Sequence, residues 1–233
     1  VLALGLWLSV RDRQRTPAAN ESLLHGLRLA ASNPQTWILS GIGLSLTGPV
    51  LAFAGLWGAP WFKTVHGIER TEAAQLLSLV FLGWLVAGPT VGWLSDRLRR
   101  RRAVLLAGTA LSTTTMAAIL LYSSAHPVWL GTLLLLNGVG GACMIIAFAA
   151  GREHNQTAAG GAALGIINTC VVGSGALYQP LIGWLLDLGW EGGFEAGVRI
   201  YPAHVFQGAL LVLPGGGLLG FALALVMREP RNR

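Results

Sequence analysis

The chain has 233 residues, of which 53% are hydrophobic and 11% are charged, and its formal net charge is +6. Soluble domains carry about 25% charged residues, so this composition excludes an ordinary soluble domain and indicates a membrane protein. The arginines stand in short clusters between apolar segments, without a basic face that carries interleaved aromatic residues, which argues against a nucleic-acid-binding protein.

The N-terminal part of the sequence predicts a helix end followed by a loop. Residues 1–10 are apolar, but they supply only about half of the ~20 residues that a membrane-spanning helix needs. No basic segment precedes them and no small-residue cleavage site follows, so a signal peptide is disfavoured. We expect the end of a truncated transmembrane helix at 1–10, in a chain that is a fragment of a longer protein. Residues 11–34 are polar and arginine-rich, which predicts a cytoplasmic loop.

Six apolar segments of spanning length follow this loop, which predicts a six-helix transmembrane bundle over residues 35–227. They lie at residues 37–59, 74–95, 103–123, 128–150, 161–186 and 204–227. If the 11–34 loop is cytoplasmic, alternation places all of the 16 basic residues except Lys63, Arg70 and Arg199 inside the cell. This asymmetry supports six crossings and a cytoplasmic tail at 228–233.

Two of the apolar segments end in nearly the same phrase. The shared positions are Pro89, Gly92, Trp93, Leu94 and Asp96 in the first copy and Pro180, Gly183, Trp184, Leu185 and Asp187 in the second. The first copy is followed by a run of arginines, whereas the second is followed by Glu191 and Glu195. Because short cytoplasmic loops collect basic residues, the two copies are expected at opposite membrane faces. The six helices therefore divide into two inverted repeats of three, an arrangement typical of secondary transporters.

The sequence shows no constellation typical of an enzyme. Cys143 and Cys170 lie inside apolar segments, and the five histidines never stand three or four residues apart, so we expect no metal site and no cofactor. Nucleophile motifs of the hydrolase type are absent, and no carboxylate pair lies within the apolar segments. No Asp, Glu, Lys or Arg lies near the middle of any segment, although such residues usually mark proton relays. A charged partner for a coupled ion is therefore expected outside this chain.

The turn after the second segment carries the most specific motif. Gly92 is followed by Asp96, Arg97 and a basic run through Arg102. This pattern resembles the Gly-x-x-x-Asp-Arg/Lys-x-Gly-Arg/Lys-Arg/Lys signature of the major facilitator superfamily, although Arg99 stands where the family often has Gly. The resemblance covers the whole chain. It implies an all-α membrane protein that forms the second half of a twelve-helix transporter, with the missing N-terminal six helices as the other wall of the substrate path.

The same resemblance implies a gate at this turn. In such transporters the signature carboxylate, here Asp96, holds the inward gate shut through the basic residues, and a glutamate like Glu153 pairs with the signature arginines. We expect Glu153 to link to Arg97 or Arg100 in one conformation. A plain helix cap with an Asp96–Arg97 ion pair and a solvated Glu153 are the alternatives. The predicted gating residues are Gly92, Asp96, Arg97, Arg100 and Glu153.

The resemblance also implies that the first, second, fourth and fifth helices line the substrate path, so polar residues at depth in them are candidate ligands. These candidates are Ser45, Thr47, Trp57, Asn137, Asn168, Thr169, Tyr178 and Gln179. Asn137 and Asn168 are the strongest, because an amide in hydrocarbon must find a partner. Hydrogen bonding between helices without substrate contact is the alternative for each of them.

The resemblance implies a secondary transporter that moves a small organic solute, such as an amino acid or organic acid, by alternating access. Its expected partners are this solute, a coupled proton where transport is proton-driven, the lipid bilayer and the missing half. Its expected location is the plasma membrane, here a bacterial inner membrane. Drug or metabolite efflux by the same fold and a transporter-derived membrane sensor without flux remain as alternatives.

Overall fold

The computed structural model describes residues 23–121, 126–155, 157–195 and 197–230. Within them, six helices are long and apolar enough to cross a membrane, which confirms the six predicted segments. We call them the first to sixth spans: Pro34–His66, Arg70–Leu98, Arg101–Leu121, Pro127–His154, Ala159–Leu188 and Ala203–Val226. The predicted helix end at 1–10, residues 11–22 of the predicted loop and residues 231–233 of the tail lie outside the described residues.

Three spans contain a break in their hydrogen-bond pattern. The first span consists of an α-helix, Pro34–Ala52, a π-helical turn, Phe53–Trp57, and a second α-helix, Gly58–His66. Pro49 cannot donate a backbone hydrogen bond, and the amide of Phe53 is shared between the carbonyls of Pro49 and Val50 at the start of the wide turn. Single π-helical turns are frequent at functional sites, so Phe53–Trp57 is a candidate functional segment of the first span.

The other two breaks are milder. The fourth span divides into Pro127–Ala142 and Met144–His154, and the sixth into Ala203–Leu210 and Val212–Val226. The fifth span belongs to one continuous helix, Thr157–Leu188, despite Pro180 in its interior.

The predicted loop at 11–34 contains a helix that the sequence analysis did not foresee. Residues Leu23–Ser32 form it, and Ala30 is buried against Ala159 and Ala163 of the fifth span. Asn33 then caps the first span, because its side-chain oxygen accepts a hydrogen bond from the Gln35 amide at 3.0 Å. The polar, arginine-rich residues that precede it dominate the loop, whereas this helix has four leucines and two alanines and buries the small residues Gly26 and Ala30.

Small residues allow the spans to pack closely around the first span, which is the most buried of the six. A Cβ added to Gly138 of the fourth span would lie 2.0 Å from the Val80 carbonyl oxygen of the second. Only glycine permits this approach of two backbones. Larger side chains fill the space elsewhere, with a cluster around Phe53, Trp61 and Phe62 near one end of the bundle.

The two ends of the bundle differ in charge and structure. One end, the basic face, holds the turn between the second and third spans, the end of the fourth span and the tail. The opposite face holds a small antiparallel hairpin between the fifth and sixth spans. Its strands are β1, Phe194–Glu195, and β2, Val198–Arg199, and Phe194 is paired with Arg199.

Candidate functional site

The signature turn at the basic face is built on a strained residue. The second span ends at Leu98, and Arg99 adopts a left-handed conformation with φ 52° and ψ 33°. For a residue with a Cβ this conformation costs roughly 1–2 kcal/mol. It is the position at which the family signature often has Gly, so the structure explains why glycine suits it. The sharp turn brings the start of the third span back over the end of the second.

Arg101 is the centre of the ion pairs at this face. Its Nη1 lies 2.5 Å from Asp96 Oδ1, and its Nη2 lies 2.7 Å from Glu153 Oε1. Its Nε donates to the other oxygen of Glu153 at 3.2 Å, so the contact with Glu153 is bidentate. The guanidinium also donates to Ser95 Oγ at 3.0 Å. One side chain, only 14% exposed, thus joins the ends of the second, third and fourth spans.

The structure corrects the predicted partner of Glu153. Glu153 binds Arg101, and neither Arg97 nor Arg100 forms an ion pair with it in the described part of the chain. Arg97 directly follows Asp96 on a helix, where neighbouring side chains point about 100° apart, and its guanidinium lies over the ring of Trp93 at 5.2 Å from the centroid. The alternative Asp96–Arg97 pair is also not formed, since Asp96 pairs with Arg101.

The tail completes this cluster, and the sequence analysis missed it. Glu229 accepts hydrogen bonds from the backbone amides of Arg101 and Arg102, the latter at 3.1 Å, and so caps the start of the third span. Arg102 in turn donates to the carbonyls of Ala224 and Leu225 at the end of the sixth span. A usable signal existed, because Glu229 is the only acid after Glu195 and directly follows an apolar segment.

The second copy of the repeated phrase ends in its own cluster at the opposite face. Asp187 Oδ1 lies 2.7 Å from Arg199 Nη1 and accepts a hydrogen bond from the Tyr201 hydroxyl at 2.6 Å. The Arg199 guanidinium also lies 4.5 Å from the centre of the Trp190 ring. Hydrogen bonding to Asp187 raises the pKa of Arg199. Partial burial, followed by the hydrogen bond to Asp187, raises the pKa of Tyr201.

Among the predicted ligands, the fifth span presents two polar residues on an open side of the bundle. Asn168 and Thr169 are exposed, and the Thr169 hydroxyl donates to the Gly165 carbonyl at 2.9 Å. The same side includes Gly161 and Gly173, where an added Cβ would meet no atom within 4 Å. This side of the fifth span is therefore open to a ligand or to another helix.

Gln179 and Trp57 are hydrogen-bonded to each other's helices near the π-helical turn. Gln179 Nε2 donates to the carbonyl of Leu51 at 3.1 Å, and Trp57 Nε1 donates to the Gln179 carbonyl at 3.1 Å. The two side chains thus tie the first span to the fifth where the first span changes its helical pitch. A change in the angle between these two spans would alter both hydrogen bonds.

The remaining predicted ligands lie inside the bundle. Asn137 is 1% exposed and donates to the Ser112 carbonyl at 2.9 Å and to Thr115 Oγ1 at 3.2 Å, which fits the interhelical alternative. Ser45 and Thr47 are buried, and their hydroxyls have no hydrogen-bond partner among the described residues. Tyr178 is buried as well in this arrangement of the spans.

Comparison with known families decides the identity of this arrangement. The sequence model of the Major Facilitator Superfamily matches residues 1–170 and 36–233. The chain belongs to the major facilitator superfamily. It is 31% identical over 169 residues to a protein of Mycobacterium tuberculosis named probable nitrate/nitrite transporter NarK2. The match covers 70% of this chain and 40% of that relative.

Two solved transporter structures show the same fold. A bacterial homologue of the human lysosomal transporter Spinster, in an inward-facing and unoccupied conformation, superposes with a TM-score of 0.66 at 15% identity. The superposition covers 97% of this chain and 56% of that one. The occupied form of that transporter gives a TM-score of 0.60 at 14% identity. The chain thus has the fold of one half of a twelve-helix transporter, and its family is one of transporters rather than enzymes.

Proposed function

We propose that this chain forms the C-terminal half of a secondary transporter that moves a small polar solute by alternating access, with a second six-helix unit as the other wall of the path. The observation that carries the proposal is the open side of the fifth span with Asn168 and Thr169. An amide facing lipid would lack hydrogen-bond partners, at a cost of several kcal/mol. A solute path beside Asn168 provides those partners.

The solute contacts of this half are proposed to be neutral hydrogen bonds. Charged side chains of the described spans lie only near their ends, as Asp96, Arg101 and Asp187 illustrate. Amides and hydroxyls can donate to the oxygen atoms of amino acids and organic acids, which we propose as the first solute class. The relative named as a probable nitrate/nitrite transporter favours small oxyanions as a second class. A coupled proton, if one is used, would bind in the other half.

The cluster around Arg101 is proposed as the inward gate, with the basic face in the cytoplasm. The arginines of the signature turn and the tail lie at this face, as basic residues do on the cytoplasmic side of membrane proteins. Arg101 replaces Arg97 and Arg100 as the central cation of the gate, whereas Asp96 and Glu153 keep their proposed roles. The C-terminus is then cytoplasmic, and the membrane is proposed to be a bacterial inner membrane.

Transport by the full-length protein in proteoliposomes tests the proposal. Uptake of amino acids, organic acids, nitrate and nitrite would be measured with and without an imposed proton gradient. We expect saturable uptake of one class. Asn168→Ala should lower kcat/KM about five- to thirtyfold, because a lost hydrogen bond to a solute costs about 1–2 kcal/mol. Val172→Ala is the matched control, because Val172 is exposed one turn further along the same helix.

Three outcomes would contradict parts of the proposal. Binding of a solute without flux would favour the transporter-derived sensor. Export of apolar cations without uptake of polar solutes would favour drug efflux. An unchanged kcat/KM in Asn168→Ala would remove the open side of the fifth span from the path.

A further inference from the structure

Four of the five arginines of the signature turn form two groups with different surroundings, and the fifth, Arg99, is the left-handed residue of the turn itself. Arg101 binds Asp96 and Glu153, and Arg102 binds carbonyls at the end of the sixth span. Arg97 and Arg100 are exposed, and neither makes an ion pair within the described ranges. The first group holds the bundle together, whereas the second presents its charge outward.

No described acid at the basic face is available to neutralise this outward charge. Asp96 and Glu153 are bound to Arg101, and Glu229 caps the third span. Arg97 and Arg100 therefore form a cationic surface whose complement lies outside the described chain.

An exposed aromatic residue stands directly beside this charge. Trp93 is 60% exposed and lies one helical turn before Arg97, whose guanidinium covers its ring at 5.2 Å. Exposed Leu94 and Leu98 continue the apolar surface around it. Tryptophan concentrates where acyl chains meet headgroups, so this order of apolar surface, indole and guanidinium matches the order of layers in a lipid leaflet.

We propose that Trp93, Arg97 and Arg100, here called the lipid patch, bind the headgroup of an anionic phospholipid. The two guanidinium groups pair with the phosphate and the negative headgroup, and the indole lies at the level of the glycerol backbone. None of these three residues is a proposed solute contact, although the second span, which carries Trp93 and Arg97, also borders the proposed path. Each arginine near an anionic leaflet contributes about fivefold in affinity, so the pair supplies roughly ten- to thirtyfold selectivity for anionic lipid.

Fluorescence quenching of the full-length protein in detergent tests the proposal. Phosphatidylglycerol and phosphatidylcholine, each with brominated acyl chains, would be titrated into the protein separately. The tryptophan fluorescence of the Trp93→Phe variant would be subtracted from that of the unmodified protein to isolate the emission of Trp93. We expect phosphatidylglycerol to quench Trp93 at least tenfold more effectively. Arg97→Gln with Arg100→Gln should remove most of this preference.

A charge-matched control separates the patch from the overall charge of the protein. Lys63→Gln with Arg70→Gln removes the same two charges from the opposite face, and we expect less than a twofold change. Equal losses in the two double variants would overturn the proposal, as would equal quenching by the two lipids in the unmodified protein. Displacement of phosphatidylglycerol by millimolar inorganic phosphate would identify a free-phosphate site and overturn the lipid assignment. Circular dichroism and size-exclusion profiles confirm that each variant is folded.

Discussion

The two copies of the repeated phrase end in the same residue type but in different structures. Asp96 pairs with an arginine five residues later, and Asp187 pairs with one twelve residues later. Arg101 is 14% exposed and joins three spans, whereas Arg199 is 45% exposed and belongs to a surface hairpin. The comparison shows that the strength of such an acid–arginine pair depends on what else the arginine contacts. We infer that the Arg101 cluster fixes the bundle, and that the Asp187 cluster fixes only a loop.

The largest effect is expected when the central cation of the basic face is removed. Arg101→Gln leaves Asp96 and Glu153 close together without a countercharge. Exposed ion pairs contribute about 0.2–1 kcal/mol each, and Arg101 joins two acids whose side chains are 68% and 39% exposed, so we expect the unfolding free energy to fall by about 1–2 kcal/mol. Unfolding by sodium dodecyl sulfate in mixed micelles, followed by tryptophan fluorescence, measures it. Arg97→Gln is the control, and a loss as large as that for Arg101→Gln would refute the division of the arginines.

The next largest loss of unfolding free energy is expected for a substitution in the tail. Glu229→Gln keeps an acceptor oxygen for only one of the two amides of Arg101 and Arg102, and it removes the negative charge at the start of the third span. We expect a loss of about 0.5–1 kcal/mol in unfolding free energy, the usual contribution of a charge at a helix terminus. Glu191→Gln is the control at the opposite face, where Glu191 meets only His204 at 4.0 Å. A zero effect of Glu229→Gln would show that the tail is not part of the cluster.

The Asp187 cluster should respond less to mutation but more to salt. Asp187→Asn removes an exposed ion pair, so we expect a smaller loss of unfolding free energy than for Arg101→Gln. Because dissolved ions screen an exposed pair, this loss should disappear at high salt. The variant should also bring the pKa of Tyr201 closer to its ordinary value, because Asp187 contributes to raising it. The ultraviolet absorbance of ionised tyrosine, with Tyr201→Phe as reference, measures this change. An unchanged titration would mean that burial alone sets the Tyr201 pKa.

The pH dependence of this cluster follows from the same shift. A raised pKa of Tyr201 means that folding favours the neutral phenol. The stabilisation from its hydrogen bond to Asp187 is therefore fully present below the ordinary tyrosine pKa and is lost as the pH rises through the raised value. The Arg101 cluster contains no tyrosine, so we expect its contribution to persist through this alkaline range.

Sequence reasoning reached the spans and the two acids of the Arg101 cluster, Asp96 and Glu153, but not Arg101 itself. Twenty-residue apolar segments and arginine counts depend on composition, which a sequence states directly. Whether Arg97, Arg100 or Arg101 reaches the two acids depends on where each side chain points on either side of the turn. The positive φ of Arg99 determines the direction of that turn. Glu229 was missed for a similar reason, because its contact with the third span joins positions 128 residues apart. Asn137 was overvalued as a ligand because its partners in the third span are not visible in the pattern.

The smallest expected effect concerns the turns themselves. At the opposite face the described positive-φ positions are glycines, Gly67 at 66°, Gly192 at 88° and Gly197 at 79°, whereas the basic face uses Arg99 at 52°. Arg99→Gly removes roughly 1–2 kcal/mol of left-handed strain but adds about 0.5–1 kcal/mol of backbone entropy to the unfolded chain, so we expect a gain of a few tenths to 1 kcal/mol. Gly197→Ala should have the opposite sign, since it introduces the same strain. Both are measured by the same unfolding titration. A loss of stability in Arg99→Gly would mean that the Arg99 side chain, which lies beside Asp96, Glu153 and Glu229, contributes more to the cluster than its backbone costs.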